Sequence, residues 1–276
     1  MTTARVERGF VRIDAGRIHY RFTPPPQSAA KTPLLMAHGG PGSSAGLEPL
    51  IQSLGADRQV IAPDMMGNGE SDPPPDGVAS IAFYAACLNE VATRLGLETL
   101  DLYGHHTGAQ VVCEFALAYP ERVERIVLDG VGLFPDALRA EFLELYAPPL
   151  TPQADGSHVQ ALWAFMAELS QHFPHYRRDP DHAVKGGGPA QPGALTDRFA
   201  EVAKVWSTYH LSYEAAFRHD LAARLKLLPP STLVLAVEGD PLEAYATRAA
   251  ALIRGAKVIA TTRADRSRTI RALLDN

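Results

Sequence analysis

Two glycines four residues apart constrain this chain more than any other feature. They bracket the segment Gly104-His105-His106-Thr107-Gly108. A strand-like run at 99–103 leads into them, and an amphipathic stretch at 109–119 leads away. Such a frame makes a sharp strand-to-helix turn, where a Cβ at either glycine position would collide with the neighbouring strand and helix. The turn holds its central side chain, His106, up at the end of a sheet. A bulky residue between two glycines also predicts a strained, left-handed backbone at His106.

The turn sits in an alternating pattern. Strands are predicted at 5–14 and 17–22, joined at Ala15-Gly16, then at 33–37, 59–62, 99–103, 125–129, 232–237 and 257–261. Helices are predicted at 47–54, 79–95, 109–119, 247–253 and 268–274. A Pro/Ala/Ser-rich loop covers 23–31. Alternation of this kind argues for an α/β fold, a doubly wound and mostly parallel sheet with helices on both faces. One stretch breaks the rhythm. Residues 135–226 hold no strand-like run and read as helices at 135–146, 157–172, 196–206 and 213–227, interrupted by a Pro/Gly-rich loop at 177–193. The expected division is a core of 1–134 and 227–276 carrying an inserted helical cap, 135–226. Gly186-Gly187-Gly188 follows no strand and reads as a flexible loop, not a phosphate cradle.

Composition excludes several function classes. The chain has 276 residues, of which 46% are hydrophobic, enough to bury a full core. Its net charge is −5 and no basic block marks a nucleic-acid footprint. No apolar run is long enough to span a bilayer, and residues 1–9 lack the apolar core of a secretory signal. Cys87 and Cys113 lie in apolar helical patterns and read as buried reduced thiols, so a cytoplasmic setting is expected. No metal-type Cys/His spacing occurs, and neither metal nor cofactor is expected. The expected partner is a small-molecule substrate, with no nucleic acid or membrane; assembly into a homo-oligomer is left open.

Three ordered motifs carry a family resemblance. His38-Gly39-Gly40-Pro41-Gly42 follows a predicted strand; Asp64 to Ser71, with Gly67 and Gly69, follows the next; Gly104 to Gly108 follows a third. Together they resemble the α/β-hydrolase superfamily, in particular its capped, proline-iminopeptidase- and haloperoxidase-like members, over nearly the whole chain. The first motif looks like their oxyanion-hole loop, and the third like their nucleophile elbow.

The resemblance implies catalytic parts that can be checked one by one. An acyl-transfer hydrolase needs a nucleophile, a base, an acid that orients the base, and N–H donors for the oxyanion. The donors implied are Thr107, just after the elbow centre, with Gly39 or Gly40. The acid implied is Asp240, in Glu238-Gly239-Asp240-Pro241-Leu242 after a strand, with Asp129 as the alternate position. Two parts are missing. The elbow centre is His106 instead of serine, and no histidine occurs after His219, so the loop that would carry the base is absent. A Ser-His-Asp mechanism is therefore excluded, unless a cap histidine (His172, His175, His210 or His219) reaches down to the site.

His106 is then the residue on which chemistry turns. Imidazole titrates near neutrality and acts as base or nucleophile. His105 reads as a packed, structural residue. Trp163, Phe165, Trp206, Tyr209 and Tyr213 are the cap aromatics available for a pocket wall, with Trp163, Trp206 and Tyr209 taken as substrate-binding. Three readings follow: a hydrolase of a small, fairly apolar ester, lactone or amide; a cofactor-free lyase, isomerase or decarboxylase with His106 as proton shuttle; or a ligand-binding pseudoenzyme.

Overall fold

Short apolar runs become the central strands of one sheet, and the computed structural model places their loops at a common end. It describes residues 4–26 and 31–275; residues 27–30 of the expected loop, and 1–3 of the leading segment, lie outside the described residues. The chain opens with β1 (Glu7–Ile13) and β2 (Gly16–Phe22), an antiparallel hairpin in register from Glu7 opposite Phe22 to Ile13 opposite Gly16. β3 (Leu34–Ala37) and β4 (Val60–Pro63) are buried along their whole length, as continuous apolar runs require of strands covered on both faces. β5 (Leu100–His105), β6 (Val123–Asp129), β7 (Thr232–Val237) and β8 (Lys257–Thr261) complete the sheet.

Among the described residues the order is β1-β2-β4-β3-β5-β6-β7-β8. β2 runs antiparallel to β4, and all pairs from β4 to β8 are parallel. From β3 the chain goes first to β4 on one side and then to β5 on the other. The loops leaving β3 and β5 therefore part at a switch point, where sheets of this kind bind ligands.

Alternate side chains of each strand feed two cores. α1 (Glu48–Leu54) lies on one face, and α2 (Ile81–Arg94) and α3 (Thr107–Ala118) on the other. Ser80 starts α2 by accepting the N–H of Phe83 at 3.1 Å. Leu35, Leu102 and Ile126 meet Leu88, Val91 and Phe115 of α2 and α3. Leu34, Met36 and Val127 meet Ile51 and Leu54 of α1. Cys87 and Cys113 are free and buried, and burial pushes both thiols up to about 12.

Between β6 and β7 the chain forms α4 (Asp136–Leu145), α5 (Ser157–Glu168), α6 (Pro192–Ala203), α7 (Leu211–Arg218) and α8 (Leu221–Leu225). The helix expected at 213–227 is two helices. His219 leaves helical geometry, and Asp220 starts α8 by accepting the Ala223 N–H at 3.2 Å. The helix expected from 196 starts earlier, at Pro192, whose ring suits a first helical turn. These helices carry their own apolar cluster, built on Phe142, Tyr146, Phe165, Met166 and Phe217. α7 has two faces: Tyr213 and Phe217 join that cluster, while Ala215 and Ala216 join the core of the sheet. α9 (Ala246–Leu252) and α10 (Arg266–Leu274) close the fold, with Ile270 and Leu274 of α10 packed beside α1.

Asp64, after β4, ties the loops of the switch point together. It is fully buried and accepts from His19 Nδ1 at 2.8 Å, Ser44 N–H at 2.8 Å and Glu70 N–H at 3.1 Å. Burial pushes its carboxyl up, but these hydrogen bonds outweigh it and hold it at about 2. A carboxyl depressed on folding stabilises the protein above its unfolded pKa, and that stabilisation is lost as the pH falls through the folded value. Asp64 is therefore expected to contribute about 2 kcal/mol above pH 4, lost between pH 4 and 2. Urea unfolding should show Asp64→Asn less stable than the natural protein at pH 5, with the gap narrowing at pH 2.5. A gap independent of pH would refute this.

Candidate active site

The elbow forms where the glycines require it. A Cβ on Gly108 would lie 2.1 Å from the Ala37 carbonyl oxygen at the end of β3, and one on Gly104 would lie 2.3 Å from the Gly108 carbonyl. β3, β5 and the first turn of α3 can thus touch backbone to backbone only through these two residues. Between them His106 has φ 51° and ψ −113°. The positive φ matches the expectation. The ψ does not: it lies outside the left-handed helical well, so the strain is of a different kind from the one expected. The His106 N–H donates to the Asp129 carbonyl at 2.8 Å, and its own carbonyl accepts from Ala109 at 2.9 Å.

The raised side chain points at the end of β7. His106 Nε2 lies 2.9 Å from Asp240 Oδ2 and 3.1 Å from Oδ1. Asp240 is fixed by its own turn, with its N–H on the Val237 carbonyl and its Oδ1 accepting from Leu242 N–H at 2.8 Å. An ionised carboxylate only accepts, so Nε2 carries the proton of this pair and Nδ1 keeps its lone pair. His105 stacks on His106 with ring centroids 3.9 Å apart and planes 18° from parallel. Its Nε2 lies 3.9 Å from Asp240 Oδ2. His105 was read as packing alone; the structure puts it at the site. Two adjacent histidines at an elbow are the sequence signal that could have shown this.

The three groups shift one another. Burial lowers His105, and the charge of His106 lowers it further. Burial also works against a charged His106, but the Asp240 carboxylate outweighs it and raises that imidazole. Asp240 is pushed up by burial and pulled much further down by the two histidines, well below the usual carboxylate range. Asp129 stands apart. It is fully buried, and its Oδ2 accepts from Tyr103 Oη at 2.6 Å and lies 3.4 Å from Arg266 Nη1. Of the two acidic positions, Asp240 alone hydrogen-bonds the His106 side chain.

Across from His106 runs the glycine loop after β3. His38 is buried there and pins it twice: Nε2 accepts the Met65 N–H at 2.9 Å, so Nδ1 donates to the Gly39 carbonyl at 2.9 Å. Burial lowers its pKa. Gly39 abuts the elbow, since a Cβ there would lie 3.1 Å from His106 Cβ. Thr107 is the first residue of α3, so its N–H has no partner inside the helix. Gly39, Gly40 and Thr107 all line one cavity of about 640 Å³, together with His105, His106 and Leu242.

The far wall comes from the helical insertion, and it differs from the expectation. Trp163 is 39% exposed and packs on Phe199. Trp206 packs beside His158. Tyr209 is buried, with its hydroxyl on the Pro148 carbonyl at 2.6 Å. None of the three lines the cavity; Phe134, Tyr146, Phe173, Tyr213 and Phe217 do. Spacing placed aromatics on helices, but how the helices dock decides which of them face inward.

No cap histidine replaces the missing base among the described residues. His172 is paired with Glu168, and His175 Nε2 lies 2.7 Å from the Tyr146 carbonyl. His219 lies between Gln110 and Glu114, and His210 lies beside Glu214. None of these four lines the cavity.

Known proteins place this architecture. The model of the alpha/beta hydrolase fold matches residues 32–256. A 2-hydroxymuconate semialdehyde hydrolase of Pseudomonas sp. (strain CF600) is 38% identical over 106 residues, 37% of this chain and 38% of that protein. A proline iminopeptidase of Heyndrickxia coagulans is 29% identical over 123 residues, 44% of this chain and 42% of that one. The chain thus spans about two fifths of the length of these curated relatives. Epoxide hydrolase A of Mycobacterium thermoresistibile superposes with a TM-score of 0.73 at 21% identity, covering 98% of each chain. The enol-lactonase of Burkholderia xenovorans LB400 gives 0.71 at 16% identity, over 97% of this chain and all of that one. No described helix is long and apolar enough to cross a membrane. With the sheet order, the elbow and the glycine loop in place, the chain belongs to the alpha/beta hydrolase fold family.

Proposed function

We propose that this protein hydrolyses a small, fairly apolar ester, lactone or amide, with His106 acting in place of an elbow serine. The observation that carries the reading is the contact of His106 Nε2 with both oxygens of Asp240. It orients an imidazole whose second nitrogen is free to take a proton, the arrangement of a base held by a carboxylate. In this reading His106 Nδ1 takes a proton from water as the water oxygen bonds to the substrate carbonyl carbon. The carbonyl oxygen becomes an oxyanion facing the N–H groups of Thr107 and of Gly39 or Gly40. As the tetrahedral centre collapses, the proton passes from Nδ1 to the leaving oxygen or nitrogen. Residues 135–226 act as a cap on a core of 1–134 and 227–276, and their aromatic wall favours an apolar acyl or ring group. The names of the relatives, a semialdehyde hydrolase and an iminopeptidase among them, support hydrolysis as the class.

A second reading, a cofactor-free lyase or isomerase with His106 as proton shuttle, is favoured by one observation. The elbow centre offers no hydroxyl nucleophile. A series of activated esters with acyl chains of increasing length distinguishes the two. Hydrolysis that rises with chain length until the cavity is full, without labelling by serine-directed phosphonates, is expected. Phosphonate labelling that blocks turnover would overturn the base mechanism. No hydrolysis of any ester would remove the hydrolase reading.

A further inference from the structure

We propose that His105, His106 and Asp240 form a three-ligand site for a divalent transition-metal ion of the zinc type. Two imidazoles and one carboxylate are a donor set that such ions take, with the remaining position left for water or substrate. Here one ligand atom from each residue lies within 4.8 Å of the others. Nε2 of His106 and Nε2 of His105 stand 2.9 Å and 3.9 Å from the same oxygen, Asp240 Oδ2. A tetrahedral ion with bonds of about 2.0–2.1 Å holds its ligands about 3.3 Å apart. One of these contacts would open and the other close, each by about half an ångström.

Three features of the fold suit an ion at this point. The elbow places both histidines at consecutive positions, each with Nε2 within 3.9 Å of Asp240 Oδ2 in the turn after β7, and rotation of the side chains out of their stacked arrangement would turn both lone pairs onto one ion. The Leu242 N–H holds Asp240 Oδ1, an outer contact of the kind that orients a ligating carboxylate. The side chains are only part-exposed, at 24%, 27% and 10%, and both histidines line the cavity, so the open position faces substrate space.

The ion would take the Nε2 lone pair of His106, and the proton that Nε2 donates to Asp240 would move by way of solvent to Nδ1, so that the ligating imidazole stays neutral. A metal-loaded site and an imidazole base held by Asp240 are thus alternative states of the same three residues. The metal site does not rest on the hydrolytic reading.

The test is binding by the full-length protein after treatment with a chelator. Zn²⁺ is titrated against a chromophoric chelator, and Co²⁺ is followed by its visible spectrum. One equivalent of either ion and a four- or five-coordinate Co²⁺ spectrum are expected. His105→Gln and Asp240→Asn should each weaken binding about 100-fold. His210→Gln, outside the site, should leave it unchanged. Absence of a saturable equivalent would overturn the proposal, as would undiminished affinity in His105→Gln. X-ray absorption of the zinc-loaded natural protein decides the matter even if a variant fails to fold: two imidazoles are expected, and fewer would refute the site. Ester hydrolysis by the chelator-treated protein reads the His106 base alone, so either proposal can fail without the other.

Discussion

Replacing His106 with alanine is expected to lower ester hydrolysis about 10³-fold, close to 4 kcal/mol of transition-state stabilisation. The loss should fall on kcat more than on KM, because the cavity wall that holds the apolar group is untouched. The His106 side chain supplies no part of either core of the sheet, so the fold should persist, but the unfolding midpoint should fall because the part-buried Asp240 carboxylate loses its hydrogen-bond partner. His106→Ser should be no more active than His106→Ala. A serine there would have only the His105 imidazole beside it, whose pKa burial lowers and which lies 3.9 Å from Asp240, beyond hydrogen-bond reach, and the segment after β8 supplies no histidine. Steady-state kinetics on an activated ester check both variants. Equal rates for the natural protein, His106→Ala and His106→Ser would make His106 a bystander and favour a ligand-binding pseudoenzyme.

The second large effect is on stability. Gly108→Ala is expected to cost more than about 4 kcal/mol or to prevent folding. Its Cβ would lie 2.1 Å from the oxygen and 2.5 Å from the carbon of the Ala37 carbonyl, and 2.7 Å from the His38 carbonyl oxygen. All three atoms are backbone, so no side chain can rotate away. Relief requires prising α3 from β3, which opens the apolar layer between Leu35 and Phe115. Gly193→Ala is the control: its Cβ would meet nothing within 4 Å, in the first turn of α6. It should be neutral or slightly stabilising, since alanine is the better helix former. Urea unfolding of both variants measures the difference. A Gly108→Ala protein as stable as the natural one would mean that the elbow packs differently.

Much of this fold is legible in the residues because its signals are local. Gly104 and Gly108 specify a turn that no other residue type fits, and the apolar runs at β3 and β4 specify buried strands. The elbow histidine could be singled out for the same reason, whereas Asp240 rests only on the family resemblance, with Asp129 as alternate; the structure brings His106 and Asp240 within hydrogen-bond distance. What failed depended on docking. The amphipathic run after Tyr213 continues unbroken in sequence, yet His219 turns away to meet Gln110 and Glu114 of α3, and the helix restarts at Asp220. Trp163, Trp206 and Tyr209 are as aromatic as Phe134 and Phe173, and only the way the inserted helices pack decides which of them line the cavity and which lie elsewhere, Tyr209 in the buried cluster and Trp163 at the surface. His105 was obscured differently. Its neighbour explained the turn, and the carboxylate it approaches lies more than a hundred residues away, beyond the reach of any spacing rule.

α7 is small on one side and aromatic on the other. Ala215 and Ala216 seat it on the sheet's core, Ala216 also bordering the cavity, while Tyr213 and Phe217 give the cavity its aromatic wall. Descendants of such a chain inherit two separable problems. Exchange of the aromatic side remodels what the cavity admits, and the alanine seam keeps the insertion seated while that happens. Selection can therefore explore new chemistry on one side of a single helix without first rebuilding the scaffold on the other.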